Sequence, residues 1–162
     1  MKVFVFAVQC GGKTTLAKYL RGSTGCKIVE MDDEIMHLNG GSWPRDIQYK
    51  VTDFEPIVYS NISAKHDVIF MDSHLAIERA AKLKGSNFKI LYIELSRNEL
   101  IQRNRHRFES GNQDDASQWI DLELKNAEDL RNKGLFDYTI NGKQPTEKIA
   151  EELLDYISKS AK

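Results

Sequence analysis

The sequence predicts an α/β fold: an open parallel sheet with helices on both faces. Three observations carry this. Five short runs rich in apolar, β-branched or aromatic residues alternate with segments of helical periodicity. The third and fourth runs are almost continuously apolar, as strands buried on both faces are. At 162 residues with 41% apolar content, the chain has the size and composition of one domain with a real core.

The first run, KVFVFAV at 2–8, is a strand that ends in the glycine-rich QCGGKTT. From Thr14 to Arg21 the spacing turns helical, with Leu16, Tyr19 and Leu20 on one face. CKIVEM at 26–31 is the second strand. The stretch 45–63 reads as two helical pieces, with Pro56 near the start of the second. DVIFMD at 67–72 is the third strand, followed by a helix over 75–83 that groups Ile77, Ala80 and Ala81. FKILYIEL at 88–95 is the fourth strand; helices over 98–108 and 116–130 follow it. FDYTIN at 136–141 is the fifth. Pro145 and Thr146 then start a last helix with Ile149, Leu153 and Ile157 in a stripe. Crossovers in such a sheet are right-handed, and ligands sit beyond the carboxyl ends of the strands. That gathers 7–15, 32–45, 72–75, 96–112 and 141–144 around one crevice.

Bulk properties narrow the function. The net charge is −1, which argues against nucleic acid as a main partner. No run approaches the roughly 20 apolar residues of a membrane span, and the N-terminus lacks a signal-peptide layout. Cys10 and Cys26 have no metal-ligand spacing, so two reduced thiols in a cytoplasmic protein are expected.

The segment AVQCGGKTT fits G-x-x-x-x-G-K-[ST] with Ala7 in place of the first glycine. Gly11 and Gly12 allow a turn whose backbone amides form a nest for phosphate oxygens. The helix behind it adds the positive end of its dipole. Lys13 would reach the β- and γ-phosphates, the Thr14 hydroxyl would hold Mg²⁺, and Thr15 completes the cup. Ala7 adds one methyl, and its fit rests on that residue's φ.

Asp72 ends an apolar strand, where a carboxylate can hold a Mg²⁺-bound water or an acceptor hydroxyl; it or Ser73 could also cap the next helix. Asp32 and Asp33 follow the second strand, and only one of two adjacent carboxylates can cap the helix there. Arg97, Arg103, Arg105 and Arg107 fall within a short reach, with Arg103 and Arg107 on one helix face. Arginines beside a transferring phosphoryl group stabilise its spread charge; as a solvated face they would pair with Asp114, Asp115 and Asp121. In LNGGSWPRDIQYK (38–50), Arg45 could fork onto an anionic acceptor, and Trp43 or Tyr49 could stack on a base.

Together these segments resemble the small P-loop kinases: nucleoside monophosphate kinases, guanylate kinase and shikimate kinase. AVQCGGKTTLAKYL is similar to their phosphate loop, MDDEI to the acidic segment of shikimate kinase-like proteins, and FDYTIN to the last strand of guanylate kinase. The resemblance implies a three-layer α/β/α P-loop NTPase fold with strand order 2-3-1-4-5 and a small lid. It implies one domain over 1–162, with an acceptor-binding segment at 32–63 and a lid at 97–115. It implies ATP and Mg²⁺, with Lys13, Arg103, Arg107 and Asp33 in catalysis. Gly11, Gly12, Lys13, Thr14, Thr15 and Asn141 would hold the nucleotide, Asn141 beside the base. Asp32, Asp33, Arg45 and Asp72 would hold the acceptor, and Thr14 and Asp72 the metal. The expected reaction is phosphoryl transfer to a small anionic acceptor, a nucleoside or deoxynucleoside monophosphate first. A shikimate-like small molecule or a polynucleotide 5′-hydroxyl is the alternative, and a nucleotide-binding module without catalysis a further one. The expected partners are a nucleotide and the acceptor, not a membrane or nucleic acid, in a monomer or homodimer.

Overall fold

The computed structural model describes residues 1–160 except 45, 47, 49 and 112–114. The expectations for Arg45, Tyr49 and Asp114 lie outside the described residues. Five strands form one sheet: β1 (Lys2–Phe6), β2 (Lys27–Glu30), β3 (Val68–Asp72), β4 (Phe88–Glu94) and β5 (Tyr138–Asn141). Every pairing is parallel and the order is β2-β3-β1-β4-β5, as expected. Among the described residues there are seven α-helices: α1 (Lys13–Arg21), α2 (Met31–Leu38), α3 (Glu55–Ser63), α4 (Ile77–Gly85), α5 (Arg97–Glu109), α6 (Ser117–Asn132) and α7 (Thr146–Ser160). A π-helical turn, Lys50–Phe54, leads into α3, which has Pro56 in its first turn.

The period of two along each strand divides the core. Val3, Val5, Ile69, Met71, Leu91 and Ile93 point to one side, where Leu16 and Leu20 of α1 and Ile149 and Leu153 of α7 cover them. Phe4, Phe6, Phe70, Ile90 and Tyr92 point to the other, under Ile35, Val58, Ile62, Ala80, Leu100, Ile120 and Leu130. Burial of both faces explains the near-continuous apolar runs: β3 is buried at every position. Two helix faces differ from the sequence reading. Ala17 is buried in α1 where Tyr19 was expected, and Leu83 in α4 where Ala81 was expected.

Strand order reverses direction at β1. The chain moves to one side for β2 and β3, then crosses to the other for β4. That reversal opens a crevice at the carboxyl end of β1. The register puts Phe6 beside Asp72 on one flank and Tyr92 on the other, so the loop after β1 emerges next to the end of β3.

Candidate functional site

The loop after β1 turns sharply because three positions permit it. Gly12 has φ 90 and Cys10 φ 65, both in the left-handed region. Such a conformation costs a non-glycine residue roughly 1–3 kcal/mol, so Cys10 must be held from outside. The other non-glycine residues with positive φ among those described are Asp67 and Asn87. Ala7 therefore keeps an ordinary backbone, and its methyl is fully buried. Gly11 is required by space: a Cβ there would lie 2.7 Å from the Val8 carbonyl oxygen and 3.0 Å from the Ala7 Cβ. Gly11→Ala should overpack the turn by about 1–3 kcal/mol, which for a chain of this size lowers Tm by roughly 2–12 °C. A thermal melt equal to the native one would mean that the turn is not closed as described.

Helix α1 makes its first backbone bond from Leu16 N–H to Gly12 O at 3.0 Å, and Gly12 brings no capping side chain. The amides ahead of Leu16 thus have no intrahelical acceptor and stand ready for an anion, with the helix dipole behind them. Lys13 bends back so that its Nζ donates to Ala7 O at 2.8 Å. Burial pushes its pKa down, opposed by the charges of Glu123, Asp72 and Asp32.

A cavity of about 630 Å³ opens over this loop. Gly12, Lys13, Thr14 and Thr15 form its floor, Asp32 and Ser73 one wall, and Arg103, His106 and Arg107 the other. The arginines come from α5, whose start is fixed by a reciprocal cap between Ser96 and Glu99. Arg103 Nη2 donates to Gly142 O at 3.2 Å, and Arg107 Nη1 reaches Cys10 Sγ at 3.2 Å. The shared helix face expected for these two is therefore the face toward the loop. Arg105 turns outward to Glu109, and Arg97 makes a fork onto Asp121 of α6 at 2.6 and 2.9 Å.

The two acidic residues after β2 separate. Asp32 lines the cavity, with Lys50 Nζ 3.6 Å away. Asp33 does not: it pairs with Arg21 at 3.0 Å on the outside of α2. Of the two adjacent carboxylates only Asp32 is therefore brought to the cavity, because α2 begins at Met31 and adjacent helical residues point about 100° apart. Lys50 Nζ also lies 5.2 Å over the Trp43 ring, so the ring holds a cation.

Asp72 is 2% exposed and sits behind the cavity wall. Its Oδ1 accepts from the amides of Ser73 at 2.7 Å and His74 at 3.3 Å, and its Oδ2 from the Tyr59 hydroxyl at 3.4 Å. It closes a local turn and is not the helix cap considered from the sequence; α4 starts later, after Ala76. Burial pushes its carboxyl up to about 6, against the pull of the Lys50 charge. A cation entering near it would favour the ionised form. Among the described residues no three His, Cys, Asp or Glu converge as a metal cluster. A cation held by Thr14 and the nearby carboxylates would therefore need ligands from the phosphate itself.

Asn141 lies away from this cavity. It lines a smaller one of about 400 Å³ with Glu94, Ser96 and Lys143, and its Oδ1 accepts from Lys143 N–H at 3.0 Å. Its side chain is occupied in a turn; the neighbouring Gly142 carbonyl is the group that touches Arg103.

Glu123 of α6 is the residue that sequence reasoning missed. It is 8% exposed, and its Oε2 accepts from Gln9 N–H at 2.6 Å. Burial pushes its pKa up to about 7, opposed by that hydrogen bond and by Lys13. A signal was present: Ile120, Glu123, Ala127 and Leu130 form the buried stripe of α6, and a carboxylate stands in it.

A family model described as shikimate kinase matches residues 9–158. Among solved structures, a gluconokinase from Sinorhizobium meliloti 1021 is 19% identical, with 99% of this chain and 93% of that chain covered at TM-score 0.71. A shikimate kinase from Acinetobacter baumannii in complex with shikimate is 17% identical, with 98% and 93% covered at TM-score 0.76. A shikimate kinase from Aquifex aeolicus vf5 is 19% identical, with 99% and 98% covered at TM-score 0.69. At these identities the likeness shows the fold. No curated protein matches by sequence.

Proposed function

The chain belongs to the shikimate kinase family of P-loop kinases, and from that premise we propose that it moves the γ-phosphoryl group of ATP to a hydroxyl of a small acceptor. The observation that carries this is the cavity over the loop, where free helix amides, Lys13, Arg103, Arg107 and the Asp32 carboxylate converge. Transfer asks little covalent chemistry of the protein; positioning and charge stabilisation do the work.

In this reading the amides from Gly12 onward and Lys13 grip the phosphates. Arg103 and Arg107 lie over the far side and stabilise the negative charge that spreads on the phosphoryl oxygens. Asp32 accepts a hydrogen bond from the attacking hydroxyl and orients it. Thr14 and the nearby Asp72 and Asp32 carboxylates would hold Mg²⁺ together with the phosphates, and the ion would supply neutralisation of phosphate charge. The lid is the segment 97–115 and the acceptor segment 32–63, which supplies Asp32, Trp43 and Lys50.

The family match favours a polyhydroxylated small molecule of the shikimate type over the nucleoside monophosphate expected first. Lys50 supports an acceptor with an anionic group, since its ammonium lies beside Asp32 with its side chain only 12% exposed. ADP release should be followed with ATP, Mg²⁺ and a panel of shikimate, gluconate and nucleoside monophosphates. Acceptor-dependent ADP on a hydroxy acid is expected. Turnover only with monophosphates would reverse the acceptor assignment, and ATP binding with no turnover on any acceptor would point to a non-catalytic module. Arg103→Ala should lower kcat by roughly 10²–10³-fold while the KM for ATP moves far less. A kinetically silent Arg103→Ala would remove that residue from the transition state.

A further inference from the structure

Two adjacent residues of the phosphate loop, both at the cavity, are held by helices α5 and α6. Gln9 donates its amide to Glu123 of α6 at 2.6 Å. Cys10 Sγ lies 3.8 Å from Asn104 Oδ1 and 3.2 Å from Arg107 Nη1, both on α5. Asn104 also ties the two helices together: its Nδ2 donates to Asp115 Oδ1 at 2.6 Å and its Oδ1 accepts from Ala116 N–H at 2.9 Å.

Glu123 occupies an apolar stripe where leucine or alanine would pack at lower cost. It lies outside the set of residues that face the cavity, so it is not a direct ligand there. The charged groups that face it are Lys13 from α1 and Asp72 from the end of β3, with the Ser73 hydroxyl beside them. Among the described residues its backbone partner is the loop amide of Gln9.

We propose that Glu123 is a positioning residue for the phosphate loop: its carboxylate holds the Gln9 amide outward, so that the cup begins at Gly12, and it joins that cup to the helix leading out of the lid. Without the Glu123 carboxylate, the half-buried Gln9 N–H loses its partner, and the turn relaxes to find another. The strained Cys10 next to it would move with it. The inference rests on the cavity being the nucleotide site.

The test uses Glu123→Gln, which keeps an acceptor oxygen, and Glu123→Leu, which suits the stripe but removes the acceptor. ATP is titrated into each by calorimetry, and each is melted. Glu123→Gln should bind within about threefold of the native chain, and Glu123→Leu at least about tenfold more weakly. The melting temperature of Glu123→Leu should stay within a few degrees of the native value, because the apolar side chain suits the stripe while the half-buried Gln9 amide turns to water. Weaker binding in a chain of near-native stability is not what a purely structural residue gives. Native affinity in Glu123→Leu would overturn the proposal, and so would a Glu123→Gln as weak as the leucine variant. If Glu123→Leu does not fold, the native chain decides by nuclear magnetic resonance. A low-field, slowly exchanging Gln9 amide supports the strut, and a rapidly exchanging one overturns it. A native chain that binds no ATP would refute the kinase reading instead, while the Gln9 amide would still judge the strut.

Discussion

Lys13→Ala is expected to cut turnover by about 10³-fold or more without unfolding the chain. The lysine reaches from the first turn of α1 back to the Ala7 carbonyl at 2.8 Å, so it stands at the mouth of the amide cup. Burial lowers its pKa, and Glu123, Asp72 and Asp32 together counter that by favouring its charged form. A triphosphate would offer a stronger partner than a neutral carbonyl, and the ammonium would swing over to it. Loss of the ammonium removes both phosphate grip and charge stabilisation in the transition state. Circular dichroism establishes that the variant is folded, and ADP release at saturating acceptor measures the loss. A variant with native turnover would mean that the site is misplaced.

The second large effect separates two neighbours in the sequence. Asp32→Asn should lower kcat/KM for the acceptor by roughly 10²–10⁴-fold, the range for a group that takes or orients a reacting proton. Asp33→Asn should stay within about threefold, since its pair with Arg21 lies on the surface and is worth at most ~1 kcal/mol. Rates measured side by side decide it. Equal losses at both positions would mean that α2 turns differently when substrate is bound.

These two cases also show where the sequence is legible. The loop is contiguous: Gly11, Gly12, Lys13 and Thr14 carry their geometry within a few residues, and Ala7 needed only an ordinary φ to fit. Strand alternation, burial of both sheet faces and the order 2-3-1-4-5 follow from patterns and resemblance that span the whole chain. Arg103 and Arg107 were readable from a four-residue spacing, because the helix through them is long and capped. Asp32 and Asp33 were not separable, since a shift of one residue in the start of α2 exchanges their directions. For Asn141 the sequence offered a base contact or a turn, and its side chain takes part in a turn. Glu123 meets Gln9 across 114 residues of chain, and no local pattern reports a contact of that range. Only its place in an apolar stripe hinted that a partner waited on the other side.

The most direct measurement is calorimetric titration of ATP with Mg²⁺ into the native chain and into Lys13→Ala. One saturable site per chain that is lost or greatly weakened in the variant is expected. Absence of binding to the native chain, or equal binding by both, would contradict a phosphate cup between β1 and α1.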